Sequence, residues 1–126
     1  MNIKTNPITT LITAISAIAL FAMSVPAWAH AKLQSATPAA NAVLDTTPKE
    51  VRIQFNEALE AAFSSIKVTD GKNSEVSAEK SSVDAADTKV MYVSLPKLTP
   101  GTYAVHWSAM TRDGHRVKGD YSFTVK

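Results

Sequence analysis

The sequence contains no cysteine. That absence removes disulfides, thiolate metal sites, iron–sulfur clusters and cysteine nucleophiles, and with them the blue-copper type of electron-transfer centre, which needs a thiolate ligand. It also removes a lipoprotein anchor, and no twin arginine precedes the apolar N-terminal run. No basic block, internal repeat, linker or low-complexity segment divides the 126 residues. One domain is expected, and nucleic-acid or anionic-membrane binding has no electrostatic footprint. Histidine is scarce, with three in the chain: His30, His106 and His115.

What is present begins with a leader. A single charge at Lys4 precedes an uncharged apolar run from Ile8 to Val25, then Pro26 and Ala27-Trp28-Ala29. That order, with small residues at the −3 and −1 positions, predicts a Sec signal peptide over residues 1–29, cleaved after Ala29. A membrane anchor is the competing reading, because the run is almost long enough to span a bilayer. The hydroxyl residues within it, Pro26 and the lack of a basic stop-transfer cluster favour cleavage. The remaining domain, residues 30–126, carries 12 basic against 11 acidic residues once Lys4 is lost. A domain of that size is able to bury about 60–70% of its unfolded surface without disulfides.

Alternation dominates the mature chain. Val51, Ile53 and Phe55 alternate with Arg52 and Gln54, and Ile66 and Val68 lead to the turn signal Asp70-Gly71. The run from Val90 to Leu95 is apolar on both sides, so its facing stays unassigned. After a turn-rich break over 96–101, Tyr103, Val105, Trp107 and Ala109 share one face, with His106 and Ser108 on the other. Tyr121, Phe123 and Val125 form a last inward row. Only Glu57–Phe63 has helical character, two turns at most, and Lys72–Asp87 reads as a polar hairpin and solvated, mobile loop. Short strands joined by Pro, Gly, Asn and Asp turns predict an all-β sandwich or Greek-key barrel.

The segment "TRDGHRVKG", Thr111 to Gly119, sets Asp113 and His115 two apart around Gly114. In an extended segment these side chains project to the same side, so that both can approach one metal ion, and Gly114 lets the backbone turn tightly between them. A polar turn with a surface histidine is the plain alternative for so short a motif. His30 alters the balance: as the first residue of a cleaved chain it offers an amine and an imidazole Nδ1 that together close a chelate ring. Nitrogen donors completed by a carboxylate suit Cu(II), which favours tetragonal N/O sites.

The stretches "HAKLQSATPAANAVL", "IQFNE" and "LTPGTYAVHWSAMTRDGHRVKGDYSFTVK" resemble the copper-resistance protein C (CopC) family of periplasmic copper-binding proteins, including its YobA-like branch. The resemblance runs from His30 to Lys126. It implies a seven-stranded Greek-key β-sandwich or barrel, immunoglobulin-like or cupredoxin-like. It also implies one Cu(II) per chain on His30, Asp113 and His115, with Glu57 beside the site as a neighbouring group or occasional ligand. Family members that also bind Cu(I) carry a methionine-rich hairpin. The corresponding "KVTDGKNSEVSAEKSS" has no methionine, so a Cu(II)-only type with no dedicated Cu(I) site is expected. Met91 and Met110 are expected in the core, Trp107 and Tyr103 as core aromatics beneath the site, and His106 exposed and not a ligand.

The leading expectation is a monomeric, non-enzymatic periplasmic copper carrier or store that exchanges the ion with an inner-membrane transporter of the CopD type. Two others stand beside it. An N-terminal histidine with a second histidine also makes the brace of copper monooxygenases that cleave polysaccharides, and a metal-free immunoglobulin-like module needs no ligand.

Overall fold

The computed structural model describes residues 31–126, so the expected signal peptide over residues 1–29 and His30 lie outside the described residues. Eight strands form two four-stranded sheets. The first holds, in spatial order, β1 (Leu33–Thr37), β3 (Glu50–Phe55), β6 (Val90–Ser94) and β5 (Ser82–Val83). The second holds β2 (Val43–Leu44), β8 (Arg116–Val125), β7 (Gly101–Met110) and β4 (Ser65–Thr69). Every pairing is antiparallel except β2 with β8. The chain changes sheet at β1–β2, β2–β3, β3–β4, β4–β5 and β6–β7, the connectivity of a Greek-key sandwich. The strand count is eight rather than seven, because β2 and β5 are two residues long and too short to carry a period-two pattern.

The core follows the alternation. Val51, Ile53 and Phe55 of β3 are fully buried and face Val68 of β4, Val105 and Ala109 of β7 and Phe123 of β8 across the sandwich. The unassigned strand β6 buries Val90, Met91 and Val93 and leaves Tyr92 half-buried, its ring under the Arg52 guanidinium at 5.2 Å. Tyr103 and Phe123 are cross-strand partners whose rings stack at 5.6 Å. The Tyr103 hydroxyl donates to the Thr99 carbonyl at 2.6 Å, tying the turn-rich break to the strand that follows, as a tyrosine corner does. Tyr121 is less inward than its row suggested; its hydroxyl is buried without a hydrogen-bond partner, and burial pushes its pKa up to about 12.

Three expectations need correction. Glu57–Phe63 forms a single 3₁₀ turn, Ala61–Phe63, none of whose residues is buried. Of its large apolar residues Leu59 enters the core while Phe63 is exposed, and backbone bonds from Leu59 N–H to Thr88 O and from Glu60 N–H to Met110 O divert the segment into bridging the sheets. Met110 lies half-exposed outside the core that holds Met91, since the β7 alternation turns it to the outer face. Trp107 is half-buried, edge-on to Phe55 at 5.1 Å, and closes the sandwich at its margin.

The polar stretch 72–87 is anchored. Asp70 caps the turn through the amides of Lys72 and Ser74, and Val76 N–H donates to Val68. The hydroxyls of Ser77 and Ser81 accept from Val68 N–H and Ile66 N–H, occupying the outer edge of β4 as a neighbouring strand would.

Candidate metal centre

The β7–β8 hairpin pairs ten residues with ten and closes on the loop Arg112-Asp113-Gly114. Thr111 N–H donates to His115 O at 2.9 Å and Gly114 N–H to Thr111 O at 3.0 Å. Gly114 has φ +88°, a left-handed conformation that glycine adopts without the steric cost of a Cβ, as three-residue hairpin loops require. The backbone turns tightly at Gly114, as that glycine allows, and Asp113 lies in the turn rather than on an extended strand. The turn still brings the two side chains together: His115 Nδ1 lies 2.8 Å from Asp113 Oδ2. Their meeting comes from the turn, not from strand alternation.

Thr111 holds the pair in place. It is buried, forms a bridge to Leu59, and its hydroxyl donates to Asp113 Oδ1. That bond, followed by the His115 imidazole, holds the Asp113 carboxyl at about 2, well below its ordinary value of 3.8. The shift favours the charged form, so the carboxylate stays ionised further into acid than an ordinary aspartate does. A neutral imidazole whose Nδ1–H faces a carboxylate presents Nε2 as its coordinating nitrogen, an arrangement common around ligating histidines. For Asp113 itself to ligate, its carboxylate would exchange one of these bonds for the metal.

The start of the described chain is fixed at the same end of the sandwich. Ala31 is buried in the core, and the Asn56 carboxamide accepts from Lys32 N–H at 2.6 Å while Asn56 N–H donates to Lys32 O at 3.1 Å. Asn56 lies three residues before Leu59, the partner of Thr111, a span of roughly 10 Å at most. Glu57 sits half-buried between these two pins. The bonds of Asp113 run to Thr111 and His115 and not to Glu57.

Among the described residues no three His, Cys, Asp or Glu side chains converge as a metal-holding group. Asp113 and His115 are brought together, and the third expected ligand, His30, lies outside those residues. His106 stands apart on the outer face of the second sheet, half-exposed. Its Nδ1 is 2.5 Å from Asp120 Oδ1 and its Nε2 is 3.0 Å from Thr69 Oγ1, so both ring nitrogens are engaged. Thr111 and Asn56 escaped the sequence reading. A hydroxyl two residues before the aspartate was the available signal for the first, and no local pattern marks the second.

The CopC domain family profile matches residues 33–126. Protein YobA of Escherichia coli K12 is 40% identical over 100 residues, covering 79% of this chain and 81% of its own. The crystal structure of CopC from Methylosinus trichosporium OB3b superposes with a TM-score of 0.72 at 33% identity, over 77% of this chain and 94% of the other. PcoC, a methionine-rich copper resistance protein from Escherichia coli, gives a TM-score of 0.68 at 35% identity, over 78% and 100%. The family profile spans nearly all of the described domain and the solved structures share its fold; the chain belongs to the CopC domain family.

Proposed function

We propose that this protein binds copper in the periplasm and serves its sequestration or transport, after a signal peptide over residues 1–29 is removed. One Cu(II) is held by the amine and imidazole of His30 together with Asp113 and His115, and Glu57 stands beside them. The protein acts as a monomeric carrier, not an enzyme, and exchanges the ion with an inner-membrane transporter of the CopD type.

The observation that carries this reading is the Asp113–His115 pair at 2.8 Å on a glycine-closed turn, braced by a buried threonine. Two features support it further. Ala31 and Lys32 are anchored at the end of the sandwich where that turn lies, and related proteins are named for copper resistance. Nitrogen and oxygen donors without a thiolate match the preference of Cu(II).

The test compares protein beginning at His30 with protein carrying one alanine ahead of it, by Cu(II) titration and electron paramagnetic resonance. The first should bind one equivalent with a tetragonal, nitrogen-rich signal. The extension converts the amine to an amide and should lower the affinity by orders of magnitude. Equal affinity in the two would overturn the site assignment.

A further inference from the structure

The second sheet ends in a half-open edge. β8 pairs β7 along all ten of its residues, but on its other side only Thr124 and Val125 meet β2, and Ser122 O accepts from Asn41 N–H. The bond from Thr111 to His115 sets the phase, so odd-numbered residues of β8 bond to β7. Thr124 N–H and Lys126 N–H accordingly point the other way, to Ala42 and Leu44. By the same alternation the N–H and C=O groups of Arg116, Lys118 and Asp120 face outward, with no strand beside them among the described residues.

The other edges are closed or interrupted. The serine hydroxyls of the 72–87 stretch cover β4, β2 and β5 are two residues long, and β1 is broken by a bulge between Leu33 and Ser35. The β8 edge is regular and starts at Arg116, immediately after the metal turn. Its outward side chains are exposed Arg116 and Lys118, followed by Asp120, whose carboxylate is taken up by His106. Net positive charge is left along the edge. Its inward side chains, Val117 and Tyr121, are partly buried against the core, with Gly119 between them.

We infer that the open β8 edge, Arg116 to Asp120, is a docking site for an extended segment of a partner protein with acidic residues alternating with apolar ones. The segment adds a strand to the second sheet: its main chain takes up the outward amides and carbonyls, its carboxylates face Arg116 and Lys118, and its apolar residues extend the Val117–Tyr121 face. A lysine in the middle of an open edge discourages pairing with another copy and selects the opposite charge. Given the metal site proposed above, a strand docked here begins beside His115, where the ion would pass between proteins.

The test uses the metal-free protein, so its failure leaves the copper reading untouched, while loss of copper binding in the alanine-extended protein leaves this edge untouched. A short end-blocked peptide alternating Glu and Val is added, and amide hydrogen exchange is followed residue by residue. Exchange at Arg116, Lys118 and Asp120 should slow about tenfold or more, with Lys118→Glu abolishing the effect and leaving the protein's melting temperature in place. A peptide alternating Lys and Val should give no protection. Equal protection by both peptides, no protection by the acidic one, or protection that grows with protein concentration without peptide would each overturn the inference; the last would assign the edge to a second copy.

Discussion

Trp107 and Gly119 are cross-strand partners, and the indole occupies the space where a side chain on residue 119 would stand: a Cβ there would collide with Trp107 Cζ2. The clash involves three ring atoms of a side chain whose other flank meets Phe55 edge-on. Gly119→Ala should therefore displace the ring and cost about 1–3 kcal/mol, the range for overpacking. Urea unfolding, with Trp107 fluorescence as a second readout, checks this. An unchanged midpoint would show that the indole has room to move.

Thr111 bears on the proposed metal centre through its hydrogen bond to Asp113. Thr111→Val keeps the shape and the buried position while removing the hydroxyl that donates to Asp113 Oδ1. The fold should survive, and Cu(II) affinity measured by chelator competition should fall about 10–100-fold, the usual cost of losing a group that orients a ligand. Asp113→Ala and His115→Ala should cost more. An unaltered affinity in Thr111→Val would make the threonine purely structural.

Copper should stabilise the protein, because an ion bound only by the native state raises its melting temperature by mass action. One equivalent of Cu(II) at neutral pH should raise it by several degrees, and His115→Ala should erase the increment. Lowering the pH should erode it as well, since each nitrogen donor must shed its proton before coordinating. A shift that persists in His115→Ala would move the site elsewhere.

A fourth expectation concerns the first sheet. Asp84 sits after β5, its carboxyl lowered from 3.8 first by the Ala86 backbone amide and then by Arg52, whose Nη1 lies 3.0 Å away. A carboxyl whose folded pKa is depressed contributes stability that is present above its unfolded value and is lost as pH falls through the folded one. Asp84→Asn should therefore be modestly less stable than the parent at pH 6, with the difference shrinking below about pH 4. Denaturation of both proteins across that range checks the sign.

Much of the sandwich was readable from period-two alternation, because a strand with one buried face must place its apolar residues every second position. Val51, Ile53 and Phe55 show this plainly, and all three are buried. Where both sides of a strand were apolar, as in Val90 to Leu95, the pattern was silent and only the pairing of β6 between β3 and β5 decided its facing. The helical pattern of Glu57–Phe63 was overridden by long-range backbone bonds to Thr88 and Met110.

The same division holds at the proposed metal centre. Residue types alone set the chemistry on offer: no thiolate, a carboxylate and an imidazole around a glycine, and a histidine directly behind the expected cleavage site. The folded chain adds that Asp113 and His115 are in hydrogen-bond contact across a turn with Gly114 at positive φ, that buried Thr111 donates to the Asp113 carboxylate, and that Asn56 fixes the chain near Lys32 at the same end of the sandwich. Residue types and spacing are local properties that a sequence displays directly. The bonds joining Asn56 to Lys32 and Glu60 to Met110 connect residues distant in the chain: the first forms once β1 pairs with β3, the second once the segment after β3 reaches the end of β7 in the other sheet.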